Sequence, residues 1–184
     1  MRVKRISGRE YAYLVTNSWT GSGPRQKVAK YLGRVIRPQK AKSEALGAFL
    51  GLTGEKDLRD WIRKNSFGEI AAALLRLELG NHEIGENSGG NGLKISAEKA
   101  EFLDDKGKPL VFALNDGFLC GHTAKKLLEY EPATDYTGYD LADALTAAGV
   151  AADKDVFIEL FGKMQAATKK VEPAEKKAAE EFYY

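Results

Sequence analysis

The chain has a single cysteine, Cys120, among its 184 residues, so no disulfide can form within it and a reducing compartment is the expected setting. Histidine is nearly as scarce: only His82 and His122 occur. These three residues leave a tetrahedral zinc site one ligand short, and no Cys-x-x-Cys pair is present to help. No apolar run approaches the roughly 20 residues that span a bilayer, so no membrane partner is expected. The opening Met1-Arg2-Val3-Lys4-Arg5 is charged with no apolar stretch behind it, so no signal peptide is read and the cytoplasm is the expected location. The glycine-rich run Ser88-Gly89-Gly90-Asn91-Gly92 lacks a following Lys-Ser/Thr and is not a P-loop.

What is present is a strongly uneven charge. Residues 1–42 hold eleven basic side chains (Arg2, Lys4, Arg5, Arg9, Arg25, Lys27, Lys30, Arg34, Arg37, Lys40 and Lys42) against one acid, Glu10, a net +10. The whole chain is +2, so the remainder carries −8. Separating the signs in this way creates a local positive field that attracts polyanions. Tyr11, Tyr13, Trp19 and Tyr31 are interleaved with the cations, a combination that suits nucleic acid.

The pattern of residues divides the chain into a basic β-meander module at 1–38, an α+β body at 39–168 and a charged, aromatic tail at 169–184. Residues 2–36 alternate and are rich in aromatic and β-branched side chains, with turns at Ser7-Gly8-Arg9 and Thr20-Gly21-Ser22-Gly23-Pro24. Period 2 places Tyr11, Tyr13, Val15 and Trp19 on one face and Ala12 and Leu14 on the other. From Pro38 the spacing turns helical: Ala41, Ala45, Leu46, Phe49 and Leu50 form a stripe that ends at Gly51. Thr53 is the expected N-cap of a short helix carrying Leu58, Trp61 and Ile62. Ser66-Phe67-Gly68-Glu69 reads as a capping box opening the central core helix, to about Leu79. Extended pieces follow at Leu93–Ile95, Ala100–Leu103, Pro109–Leu114 and Phe118–Cys120, with Asp116-Gly117 as a hairpin signal. Thr123, Tyr139 to Ala148 and Asp153 mark the closing helices, the last burying Phe157, Ile158, Leu160, Phe161 and Met164. The expected class is α+β: a basic N-terminal meander, a helical segment, a small antiparallel sheet and closing helices.

Tyr11-Ala12-Tyr13-Leu14-Val15, followed by Gly23-Pro24-Arg25-Gln26-Lys27-Val28-Ala29-Lys30-Tyr31-Leu32-Gly33, resembles the opening segment of insertion-sequence transposases. That segment has a tyrosine-rich strand, a glycine-containing turn and an R-Q-x-x-x-K-Y-L-G arm. The resemblance covers about 30 residues and implies a nucleic-acid-contacting module. In the family this segment precedes an RNase H-like catalytic domain, whose order of strands and helices differs from the one expected here. Residues 40–184 carry no such resemblance.

Lysine and arginine neutralise phosphates, and an exposed aromatic ring stacks on a base. Arg25, Lys27, Lys30, Arg34 and Arg37 are the expected phosphate contacts, with Tyr11, Tyr13 and Trp19 as stacking residues. The same rings also offer the meander its apolar area to bury. His82, Cys120 and His122 are the only histidines and the only cysteine, and a carboxylate such as Glu83 or Asp116 would have to complete a site. Cys120 and His122, two apart on the expected strand, share a face, but no orienting group or oxyanion hole for a nucleophile is legible. The pair Asp104-Asp105 reads as turn chemistry. The expectation is a non-enzymatic nucleic-acid-binding protein of low sequence selectivity, without metal or cofactor. A protein-interaction adaptor docking through its acidic body and tail is the alternative, and a small enzyme acting on nucleic acid the third reading.

Overall fold

Alternating, β-branched and aromatic residues near the N-terminus form three antiparallel strands, β1 (Arg2–Ile6), β2 (Arg9–Thr20) and β3 (Gly23–Ile36). Ser7 and Gly8 both take positive φ, 49° and 78°, which gives the β1–β2 connection the twist that a two-residue hairpin requires. The computed structural model describes residues 1–21, 23–86, 92–131 and 137–166. Residues 88–91 of the glycine-rich run at 88–92, residues 132–136 of the loop expected over 132–138 and the tail at 169–184 lie outside them; Gly138, expected in that loop, already opens a helix with Thr137 as its N-cap.

The meander does not end at its third strand. Arg34, Val35 and Ile36 pair in parallel with Leu110, Val111 and Phe112 of β6 (Leu110–Leu114), and β6 pairs with β7 (Gly117–Leu119) as an antiparallel hairpin. The result is one mixed sheet in the order β1-β2-β3-β6-β7. Gly33 makes this junction. Its φ is +141°, and an added Cβ would lie 2.5 Å from the Pro109 carbonyl oxygen, so the two backbones touch only because no side chain intervenes. The boundary expected after residue 38 therefore lies just beyond a strand that belongs to the same sheet as the body. The small antiparallel sheet is β4 (Lys94–Ser96) with β5 (Glu101–Leu103).

The helical body is α1 (Leu46–Phe49), α2 (Glu55–Lys64), α3 (Phe67–Asn81), α4 (Gly121–Leu128), α5 (Gly138–Ala147) and α6 over 154–166. The Ser66 capping box is present: Glu69 N–H donates to Ser66 Oγ at 3.3 Å and Ser66 N–H to Glu69 Oε2 at 2.7 Å. Buried on most of its circumference, α3 is the central core helix. Several local expectations are corrected. The stripe from Ala41 yields only α1, because Asn81 at the end of α3 takes up the preceding backbone. Its carbonyl accepts from Ala41 and Lys42 N–H, and its side chain bonds both Glu44 N–H and the Glu44 carbonyl. Gly54, not Thr53, is the N-cap of α2, and the Thr53 hydroxyl donates to Asp57 instead. The two-residue turn of β6–β7 is Asn115-Asp116, with Asn115 at φ 46° and Gly117 already in β7. On α6, Ile158 points outward at 53% exposure while Val156, Leu160 and Met164 are buried.

Two apolar clusters hold the molecule. The larger lies between the helices and one face of the sheet, where Leu110, Phe112, Leu114 and Leu119 meet α3, α4, α5 and α6; from the first 38 residues it takes only the partly buried Ile36. The smaller lies on the opposite face and is shared: Ala12 and Leu32 of the meander with Val111 and Cys120, flanked by Val3, Leu14, Val35 and Phe118. Among the described residues no helix is long and apolar enough to cross a membrane.

Candidate nucleic-acid interface

Beyond Val15 the β2–β3 ribbon leaves the body. Residues 16–20 and 24–30 are exposed on both faces, and Trp19 near the tip is 84% exposed. Cross-strand partners share a face, so the register sorts the arm's side chains. Arg25, Lys27 and Lys30 lie opposite Ser18, Thr16 and Leu14, on the face that carries Ala12. Their spacing is two and then three residues, which simple alternation would split. The ladder skips Ala29 between Val28 and Lys30, and this bulge returns Lys30 to the face of Lys27. Arg5 of β1 shares that face, through its pairing with Glu10.

A second skip, at Leu32, turns the rest of β3 over. Leu32 enters the smaller cluster, and Tyr31 joins Tyr11 and Tyr13 on the other face. Tyr31 sits between its partners, with ring centroids 6.3 Å from Tyr11 and 5.6 Å from Tyr13. Lys4 Nζ lies 5.6 Å from the Tyr13 ring centre, a cation–π contact. Burial, and then the neighbouring Tyr11 and Tyr13, push the Tyr31 hydroxyl above the ordinary tyrosine range. Arg34 lies opposite Tyr11 on this face, not beside Lys30. Asp104 is also close; its carboxyl is held below the usual range chiefly by the Lys108 amide, with Lys106 N–H and the charges of Lys108 and Arg34 adding. Arg37 is engaged already, donating to Glu10 at 2.8 Å. At the root of the arm Arg5, Arg9, Arg34 and Arg37 line one shallow pocket of about 610 Å³, with Glu10 as its single carboxylate.

In the sequence Lys4, Arg5 and Tyr31 count among the segment's cations and aromatic rings without being assigned to the candidate interface, and His122 is weighed only as a metal ligand or nucleophile partner. The first three needed the cross-strand register. His122 needed the tertiary fold: it lies in the first turn of α4, near Lys30. Burial, then Lys30, Lys126 and the amino terminus, hold its imidazole below the ordinary histidine pKa. Burial is the larger cause, and the lesser charge contribution places His122 within electrostatic reach of Lys30, a residue of the cationic face.

The three scarce soft ligands are not brought together, and among the described residues no group of three or more His, Cys, Asp or Glu side chains is placed to hold a metal. Cys120 is not on a strand with His122. It is the N-cap of α4, and Thr123, expected as the cap, is the third residue of the first turn. The Thr123 hydroxyl donates to the Phe118 carbonyl at 2.6 Å and accepts from Cys120 N–H at 3.1 Å, with the Cys120 sulfur 3.6 Å away. The thiol is thus a buried part of a helix cap. His82 is buried at the end of α3, where its Nδ1 donates to the Glu78 carbonyl at 2.8 Å. Comparison with protein-family models, curated proteins and solved structures found no match to the chain.

Proposed function

We propose that the protein is a non-enzymatic nucleic-acid-binding protein that grips phosphates through its projecting β2–β3 arm. The observation that carries this reading is the bulge at Ala29, which collects Arg25, Lys27 and Lys30 on one exposed face. A row of cations on a ribbon clear of the body gains little for folding and suits a polyanion. The resemblance of residues 11–33 to transposase opening segments supports the same reading. Phosphate contacts carry no base information, so selectivity for sequence is expected to be low.

Salt titration tests it. Each phosphate contact contributes about −0.9 to the log–log slope of affinity on duplex DNA and about −0.7 on single strands. Replacing Arg25, Lys27 and Lys30 together by glutamate is expected to weaken binding to every sequence alike and to flatten the slope by about two units or more. A triple variant that binds like the parent across the series, or a parent that binds no nucleic acid at low salt, overturns the proposal.

A second reading has its own observation. A groove of about 390 Å³ between α2 and α6 is lined by the apolar Leu58, Ile62, Val156 and Ile158, by four acids, Glu55, Asp153, Asp155 and Glu159, and by one base, Arg59. This groove, apolar and acidic in its lining, supports the adaptor alternative, in which the body docks a basic protein segment. That reading leads if the arm binds no nucleic acid.

A further inference from the structure

The arm's two faces differ in chemistry. On the face opposite Arg25, Lys27 and Lys30, three tyrosines form a contiguous strip whose central ring, Tyr31, is 42% exposed. The same face of the sheet is roofed by helices over β6 and β7, where Leu110, Phe112, Leu114 and Leu119 are buried. Over the meander the roof stops. The tyrosines are left half-covered where a folding argument alone would bury them, since each ring has much apolar area to remove from water. Arg2 and Lys4 lie on this face beside the rings, Arg9 and Arg34 at its lower end. Arg2 is held by the Gln26 side chain and Lys4 leans over Tyr13, so both cations are positioned along the strip. Asp104 is the carboxylate near Tyr31, and its charge is shared with Arg34 and Lys108.

We infer that this face binds unpaired nucleic acid, with bases stacked on the Tyr11–Tyr31–Tyr13 strip and a phosphate seated in the arginine pocket at its lower end. The inference rests on the nucleic-acid reading above and sharpens it from a polyanion to a single strand. In a duplex the base faces are already stacked on one another, so a strip of rings gains nothing from it; an unpaired strand offers free faces. Arg9 and Arg34 belong both to the face and to the pocket, which also contains Arg5 and Arg37. Guanidinium forks suit phosphate oxygens, so the strip leads directly into a seat for the backbone. Cations outnumber carboxylates along the face and its pocket, Asp104 near Tyr31 and Glu10 in the pocket being the acids against Arg2, Lys4, Arg5, Arg9, Arg34 and Arg37, and the occupant is one that phosphate charge and base faces together define.

The test compares a fluorescently labelled mixed-sequence strand of about twelve nucleotides, a length within the usual single-strand site range, with the same strand annealed to its complement. Anisotropy is read at low and moderate salt for the full-length parent, for the Tyr13→Ala/Tyr31→Ala double variant, and for Tyr31→Phe. The parent is expected to bind the single strand more tightly than the duplex. The double variant is expected to lose about fivefold or more of its single-strand affinity, the lower end of what one stacked base is worth, and little of its duplex affinity. Tyr31→Phe keeps the ring face and is expected to match the parent. Because removing two rings also threatens the fold, a second measurement uses the parent alone: chemical nitration of Tyr31 is expected to be blocked by the single strand and not by the duplex. Equal affinity for both forms, or Tyr31 nitrated at the same rate with and without the single strand, overturns the inference while leaving the arm's phosphate role to its own salt test. A parent that binds neither form at low salt overturns both.

Discussion

The two ends of the mixed sheet obey the same alternation and put it to opposite use. At β6 and β7 both faces are covered: Leu110, Phe112, Leu114 and Leu119 pack against the helices, and Val111 joins the smaller cluster. Along the outer half of β2 and β3 neither face is covered, and residues 16–20 and 24–30 are exposed. The ribbon persists because its backbone groups satisfy one another across the ladder, which needs no core. Stability in this molecule is concentrated where side chains are buried, and the proposed contact residues lie where they are not. The shared cluster around Ala12, Leu32, Val111 and Cys120 is the hinge between the two regimes.

One substitution made at both ends breaks the comparison most sharply. In β7, a Cβ on Gly117 would collide with the Thr146 carbonyl oxygen and lie 2.5 Å from the Gly149 nitrogen, both backbone atoms of the α5 terminus. Gly117→Ala is expected to destabilise the protein by on the order of 3 kcal/mol or more, as overpacking against backbone does. At the arm's tip a Cβ on Gly21 meets nothing within 4 Å. Gly21→Ala is expected to change stability by less than about 1 kcal/mol, with a stabilising sign from the less flexible unfolded chain. Urea unfolding of the two variants beside the parent measures both, and equal losses would show that the arm is as tightly integrated as the body.

Removing residues 1–38 has the next largest effect. The larger cluster takes only Ile36 from them, so the remaining chain is expected to melt cooperatively, with α3 and its neighbours intact. Its melting temperature is expected to fall, because Val111 and Cys120 lose Ala12, Leu32, Val3, Leu14 and Val35. Circular dichroism with thermal melting decides this, and a coil-like, non-cooperative trace would show that the meander completes the core.

The smallest effect is electrostatic and concerns His122. Its imidazole is held below the ordinary value by burial and then by Lys30, Lys126 and the amino terminus. Between the folded and unfolded values, the latter about 6.5, the unfolded chain binds more protons, so stability rises with pH across that window. The contribution is complete above about pH 6.5 and is lost as pH falls toward the folded value. A phosphate on Lys30 would remove part of the cause and raise the pKa, so binding is expected to strengthen as pH falls through the same window. Affinity measured between about pH 5.5 and 7.5 checks this, with His122→Ala expected to flatten the profile.

The sequence by itself determined the local devices. The Ser66 capping box, the apolar girth of α3, the strands at the meander and the strong positive bias of residues 1–42 all depend on neighbours within a few positions, and each is legible from side-chain type and spacing. Tertiary structure decided everything that depends on which backbone lies beside which. The helix expected from Pro38 gave way to hydrogen bonds from Asn81, far along the chain. The cap of α4 moved from Thr123 to Cys120 because the Thr123 hydroxyl found the Phe118 carbonyl. Above all, strict period 2 would have put Tyr31 with Arg25 and Lys27 and sent Lys30 to the other side. The unpaired Ala29 and Leu32 reverse that assignment, separating a face of cations from a strip of tyrosines. A bulge exists only relative to its partner strand, so no reading of β3 alone can place it.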